Sequence, residues 1–333
     1  MKITNDITQR QPAQAVLTIG SFDGVHLGHQ ALIRSVVGSA RDKGIAAVAL
    51  TFEPSPREVL SPGQPLAYLT PLPQKLDLLA QTGLDETVVI PFTKDLSQVQ
   101  APDFIHYLRR YLLFTELWEG ENFALGRGRT GNIEVLTDLG RHVGYNTLIA
   151  PLVEMDGQPI SSSRIRLSVM QGRVSDAARL LGHYHAISGT VVPGSRRGRE
   201  LGYPTANLAT PPHIALPVDG IYATFVTRPA TGEILPSVTS IGTRPTFEDD
   251  ARLVEAFIID YSADLYGEAL TVHFVQHLRP QVAYTGVEPL IAQMDKDTVQ
   301  AREIVRTSVA PGTSPSYISS TLHTVSDFRS KLD

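Results

Sequence analysis

The spacing of apolar residues changes once along this 333-residue chain, just after Gly182, and that change constrains the fold more than any other feature. From Ala15 onward, short apolar runs (AVLTIG, AAVALTF, ETVVIPF, LWEG, NTLIAPLV) alternate with helical patterns such as PLPQKLDLLAQTG, DFIHYLRRYLL and NIEVLTDLGRHVG. The runs are apolar without alternation, as strands covered on both faces are. In the helical pieces one stripe is apolar, for example Phe104, Leu108, Tyr111 and Leu112. An open α/β sheet with parallel strands follows. Beyond Gly182 the runs HAISGTVV, GIYATFVT, ILPSVTSIG, LVEAFIID and ALTVHFVQHL are separated by Gly- and Pro-rich turns, which predicts a small β-barrel or sandwich. A helical pattern from Val287 to Arg306, with Leu290, Ile291, Met294 and Ile304 apolar, closes it, and a Ser/Thr/Pro-rich tail comes after.

Length agrees with two cores, since domains commonly run to roughly 100 to 200 residues. With 42% hydrophobic and 19% charged residues the chain is ordinary for a globular protein. A formal net charge of −5 offers no general attraction to nucleic acid or to an anionic membrane, so anionic ligands must be held locally. The absence of cysteine excludes disulfides, thiolate metal sites and thiol nucleophiles, and is compatible with a reducing compartment. Met1 to Gln14 is polar, and no apolar run is long enough to span a bilayer, so the cytoplasm is expected.

The first strand runs into GSFDGVHLGHQ. In an open α/β sheet the carboxyl end of a strand, beside the next helix N-terminus, is where ligands bind. Here Gly20, Phe22, Asp23 and Gly24 precede His26 and His29, which flank Gly28 in an H-x-G-H arrangement. The missing side chain lets a phosphate approach, and two imidazoles can donate to its oxygens and stabilise a pentavalent phosphorus. A histidine pair at a helix start can equally cap and pack. The strand, the three glycines and the helix together favour a nucleotidyltransferase arrangement over the dinucleotide fingerprint. Asp23 would position the turn or a metal. Further on, GENFALGRGRTGN follows another strand and offers Asn122, Arg127 and Arg129 as donors. In ISSSRIR, Ser162 and Ser163 open a helix ahead of Arg166, where backbone N–H groups, helix dipole and guanidinium converge on an anion. A serine cap followed by solvated arginines is the alternative.

The densest cluster is GTVVPGSRRGRELGYPTANLA, where Gly189, Gly194, Gly198 and Gly202 punctuate basic residues, Arg199 among them, before Pro204, Thr205, Ala206 and Asn207. Backbone N–H groups of such a turn can wrap phosphates. Thr205 and Asn207 fall on one face of an extended segment and supply hard oxygen donors suited to Mg²⁺ beside nucleotide phosphates. Glu255, inside the apolar run LVEAFIID with a phase that points it inward, needs a partner or a task, and is read as a general base.

The series TIGSFDGVHLGHQ, TFEPSPREVLSP, GENFALGRGRTGN, ISSSRIR, GRELGYPTANL, DGIYAT, SIGTRPTF, VEAFIIDYSADLYGE, LRPQ and MDKDTVQAR resembles, block by block and in order, the bacterial bifunctional riboflavin kinase and FAD synthetase family. The resemblance implies a Rossmann-like FMN adenylyltransferase domain over residues 1–183, which makes FAD from FMN and ATP. It also implies a six-stranded antiparallel barrel with a closing helix over 184–308, which makes FMN from riboflavin and ATP with Mg²⁺, and a tail at 309–333. Carried over by position, His26 and His29 look like the phosphate-contacting pair, with Asn122, Ser162, Ser163 and Arg166 completing that nucleotide site. Thr205 and Asn207 look like Mg²⁺-ATP ligands and Glu255 like the kinase base. The chain departs from the usual blocks at Ser21, Ser55, Leu125 and Ser240. A riboflavin kinase with a drifted N-terminal domain and a non-catalytic flavin- or nucleotide-binding module are the competing readings; none involves nucleic acid or a membrane.

Overall fold

The computed structural model describes residues 1–64, 66–194, 198, 201–243 and 252–308. The chain divides into two compact units, Met1–Leu66 with Pro71–Ser161, and Ala67–Thr70 with everything from Ser162 onward.

In the first unit the strands are β1 (Lys2–Thr4), β2 (Ala13–Ile19), β3 (Ala46–Glu53), β4 (Glu86–Pro91), β5 (Leu112–Glu119) and β8 (Asn146–Ile149), with two short hairpin strands β6 (Ala124–Leu125) and β7 (Gly131–Asn132) before β8. The six form one sheet in the order β1-β4-β3-β2-β5-β8, every pairing parallel. The helices are α1 (Leu27–Lys43), α2 (Pro56–Leu60), α3 (Leu72–Ala80), α4 (Ala101–Arg109) and α5 (Ile133–Val143). Ala15, Leu17 and Ile19 of β2 join Phe104, Ile105 and Leu108 of α4 and Leu136 of α5 in one buried cluster. The expected α4 stripe is cut short: the helix ends at Arg109, and Leu112 opens β5 instead, because residues 112–117 pair with β2. Chain order reverses between β2 and β5, and a crevice at the carboxyl ends of strands is the ligand position such a switch creates.

The second unit contains a small hairpin's successor helices and a barrel. After β9 (Glu154–Met155) and β10 (Gln158–Pro159) come α6 (Ser162–Met170) and α7 (Val174–Leu181). The strands β11 (His185–Val192), β12 (Thr205–Ala209), β13 (Gly220–Arg228), β14 (Glu233–Thr243), β15 (Arg252–Ile258) and β16 (Ala269–Arg279) then close into an antiparallel barrel in the order β11-β12-β15-β14-β13-β16. Closure decides between barrel and sandwich and removes the unpaired edges that a sandwich would leave. The interior is filled by Ile187, Val191, Leu208, Tyr222, Val226, Ile241, Val254, Ala256, Ile258, Leu270 and Phe274, with Val174 of α7 packed against them. Each large apolar side chain so buried contributes roughly 1.5–3 kcal/mol. Inside the wall Thr224 also bonds Ser237 and Thr239 through their hydroxyls, both at 2.7 Å, so these buried groups are mutually satisfied. The closing helix α8 (Val287–Ser308) lies against β13, β14 and β16, burying Ala301 and Val305. Residues 67–70 are stitched to this unit: Tyr68 N–H donates to the His213 carbonyl and Ala215 N–H to the Tyr68 carbonyl, both at 2.7 Å.

The sequence-based boundary at 183 falls after α7, whereas the compact units divide at 161, which counts α6 and α7 with the barrel. The tail at 309–333 lies outside the described residues.

Candidate functional site

Residues 20–26 form the loop between β2 and α1. Gly20 N–H donates to the Leu50 carbonyl at 2.9 Å, which carries the β-ladder one residue past the strand. The loop then turns through Phe22, Gly24 and Val25 at φ 48°, 83° and 38°. Left-handed backbone is natural for Gly24 but strained for Phe22 and β-branched Val25, and such strain persists only where the surroundings enforce it. Asp23 and His26 are buried here.

His26 is the N-cap of α1. Its Nδ1 accepts from the backbone N–H of His29 at 3.3 Å, so the proton of a neutral His26 ring sits on Nε2. The two rings stack with centroids 3.6 Å apart and planes at 17°, and Phe22 meets the His29 ring edge-on at 5.3 Å. Burial, then the charge potential of His26 and Lys75, holds the His29 ring well below the usual imidazole pKa, and its Nδ1 is buried without a hydrogen-bond partner. Gly28 is required by close approach: a Cβ there would lie 3.1 Å from the His26 ring and 3.7 Å from the Ile160 carbonyl. Capping through Nδ1 and a proton on Nε2 are therefore one arrangement, not alternatives.

Of the other residues assigned to this site, Asn122 sits exposed in the turn after β5, its carbonyl accepting from Arg129 at 3.1 Å. Ser162, Ser163 and Arg166 occupy the first turns of α6, where Arg166 Nε donates to the Ala67 carbonyl at 2.5 Å. These three belong to the second compact unit, and the histidine loop to the first. Two residues were not singled out from sequence. Lys75 of α3 is buried at 4% exposure beneath the loop. Glu119, at the end of β5, is 1% exposed and accepts from Ile19 N–H at 2.7 Å as a cap on β2; burial pushes its carboxyl well above the usual range. A lysine in a helical stripe reads as solvated, and a carboxylate closing a strand reads as exposed, so neither carried a signal.

In the second unit a cavity of 580 Å³ opens between the outer wall of the barrel and α8. Gly194, Gly198, Pro204, Thr205, Asn207 and Glu255 all line it. Asn207 faces Glu255 across the β12–β15 ladder, and Glu255 faces Ser240 across β15–β14. Because Val254, Ala256 and Ile258 take the barrel interior, Glu255 points to the outer face, opposite to the inward phase expected of it, and the cavity is what receives it. A Cβ on Gly194 would lie 2.3 Å from Asn207 Nδ2 and 2.8 Å from its Oδ1, so the turn after β11 rests directly on that amide. Gly198 accepts from the N–H groups of Leu201 and Tyr203, and Asn207 Nδ2 makes a long 3.4 Å contact to the Thr205 carbonyl. Gly189 lies in β11 and Gly202, at φ 84°, in the turn before β12. Arg199 lies outside the described residues.

The rest of the cavity is apolar or paired. Ile221, Val238, Phe257, Leu290 and Met294 supply flat hydrophobic walls. Arg279 binds Asp297 of α8 at 2.7 Å, which Gln293 also contacts at 2.9 Å, pinning the helix to β16. Gln281 donates to the Ser240 hydroxyl at 3.0 Å. Among the described residues no group of three His, Cys, Asp or Glu side chains can hold a metal. A Thr hydroxyl and an Asn amide oxygen beside a phosphate-sized space fit Mg²⁺, which keeps substrate oxygens and waters among its ligands and does not need an all-protein cage.

Comparison with known proteins covers both units. The model of the FAD synthetase family matches residues 8–164 and that of the riboflavin kinase family residues 181–305. The chain is 35% identical to a bifunctional riboflavin kinase/FMN adenylyltransferase of Listeria monocytogenes, over 86% of its own length and 91% of the relative's. It is 34% identical to the protein of the same name in Escherichia coli (90% and 95%) and 31% to that of Bacillus subtilis (89% and 94%). A crystal structure named as a macrolide-efflux protein from Streptococcus pneumoniae superposes with a TM-score of 0.83 at 27% identity, covering 90% of this chain and 98% of that one. No helix among the described residues is long and apolar enough to cross a membrane.

Proposed function

The chain belongs to the bifunctional riboflavin kinase/FMN adenylyltransferase family, and from that premise we propose that it phosphorylates riboflavin with ATP to FMN and then adenylylates FMN with a second ATP to FAD and pyrophosphate. The single observation that carries the kinase half is the meeting of Thr205, Asn207 and Glu255 in one cavity under a glycine turn. Glu255 accepts the proton of the ribityl 5′-hydroxyl as that oxygen attacks the γ-phosphorus of ATP and the bond to the β-phosphate oxygen breaks. Thr205 and Asn207 would hold Mg²⁺, whose chemistry there is neutralisation of the charge that grows on the transferring phosphates. Gly194 and Gly198, which line the same cavity, are read as meeting the nucleotide phosphates, and Ile221, Val238, Phe257, Leu290 and Met294 as taking the flat flavin ring.

In the first unit the FMN phosphate oxygen attacks the α-phosphorus of ATP and pyrophosphate leaves. The Nε2–H that the helix cap leaves on His26 donates to the charged oxygens of that centre, beside His29. Asn122 of the same unit is a further nucleotide contact of this reading. A cysteine-free chain is compatible with the reducing cytoplasm, where we place it. One chromatographic assay of riboflavin with Mg²⁺-ATP tests the whole: FAD is expected, FMN alone would remove the N-terminal activity, and neither product would leave a binding module.

A further inference from the structure

The roles above leave the buried charge of Lys75 unused. Lys75 of α3 lies beneath the histidine loop, and its Nζ donates to the Ser21 carbonyl at 3.2 Å and to Thr51 Oγ1 at 3.3 Å. Thr51 donates to the same carbonyl at 3.2 Å, and Glu53 Oε2 lies 3.9 Å from the ammonium. Ser21 is the residue immediately before the left-handed turn of Phe22, Gly24 and Val25, so what grips its carbonyl grips the start of the turn that ends in His26. An ammonium taken out of water is an expensive means of tying down a carbonyl, and a neutral donor would serve if anchoring were all that was needed.

Resting on the adenylyl-transfer reading of the first unit, we propose that Lys75 is a positioning residue of that reaction, whose ammonium fixes the Ser21 carbonyl and thereby holds the stacked His26–His29 pair in place at the phosphate position. The charged groups that bear on the His29 ring are His26 and Lys75, and those that bear on Lys75 are Glu53 at the end of β3 and Asp23 in the loop. Burial lowers the pKa of Lys75 from its ordinary value, and Glu53 and Asp23 oppose that and help keep it charged. A positive charge held there disfavours a second one on His29, in the same direction as burial does. Two imidazolium rings stacked at 3.6 Å would repel, so the arrangement needs at least one neutral ring.

The test compares the full-length parent with Lys75→Met, Lys75→Gln and Lys75→Arg, using FMN and Mg²⁺-ATP, with riboflavin phosphorylation as the internal control. Lys75→Met should lower kcat for FAD formation by ~10²-fold with KM for FMN and ATP within about threefold, and Lys75→Arg should restore at least about tenfold of that loss. Loss of the charge makes the imidazoles easier to protonate, so the acid limb of the kcat/KM profile should move to higher pH. If Lys75→Met does not fold, Lys75→Gln decides, because it keeps a donor for Ser21 without the charge. Parental kcat in Lys75→Gln, or a loss with an unmoved acid limb and no rescue by Lys75→Arg, overturns the proposal. A parent that itself makes no FAD fails the underlying reading instead.

Discussion

Asn207 on β12 and Glu255 on β15 stand directly opposite each other across the barrel wall, and both point into the cavity under α8. Facing residues of an antiparallel pair keep their Cβ atoms roughly 4.5–5.5 Å apart, so the ladder register alone sets the distance between the phosphate-side donor and the base. A slip of one residue would send one of them into the apolar interior with Val254 and Ala256.

Removing either partner should therefore stop one reaction and spare the other. Asn207→Ala and Glu255→Gln leave the backbone ladder intact, and each is expected to cut FMN formation from riboflavin by ~10²-fold or more. FMN supplied directly should still be converted to FAD at the parental rate, as chromatography of the products would report. Unchanged riboflavin phosphorylation in either variant would take that residue out of the site.

Gly194→Ala should act through Asn207. Its new methyl would stand 2.3 Å from the Asn207 amide nitrogen, closer than nonbonded atoms allow, so either the turn or the amide must move. A loss of about tenfold or more in FMN formation is expected, since small misplacements of a phosphate-positioning group are costly. A variant with parental kcat/KM would show that the turn relaxes freely.

His26→Asn separates the cap from the chemistry. Asparagine is as good an N-cap as any residue, so the start of α1 should survive with stability within about 1 kcal/mol of the parent. The Nε2–H donor is gone, however, and FAD formation from FMN should fall by ~10²-fold. Thermal unfolding and the FAD assay on the same preparation check both halves; retention of activity would leave His26 a capping residue only.

Acid should destabilise the barrel through its buried histidines. Burial lowers the pKa of His185 to about 4 and of His273 to about 3, while in the unfolded chain both lie near the ordinary imidazole value of 6.5. Between pH 6.5 and 4 the unfolded chain takes up protons that the native rings refuse, so stability falls as pH falls and is insensitive to these groups above about pH 7. The loss by pH 4 should be on the order of 2–3 kcal/mol for each ring. Urea unfolding at pH 7 and pH 4.5 measures it, and His273→Gln should flatten the pH dependence; an equal slope in that variant would refute the assignment.

Local spacing was enough to read the parallel sheet and the all-β character of the second unit, though not its closure into a barrel, because 3.6-residue and two-residue periodicities, glycine turns and strand-to-helix junctions are properties of neighbouring residues. The histidine loop, the glycine cluster before Thr205 and the family likeness were legible for the same reason. Lys75 was not: a lysine between apolar helix positions looks the same in sequence whether it meets water or, as here, the Ser21 carbonyl. The direction of Glu255, the early end of α4 and the assignment of residues 67–70 to the second unit were decided by pairings between segments distant in the chain. Periodicity states which residues share a face, but only the closed ladder and the packed helices determine what that face meets, and the chemistry depends on the meeting.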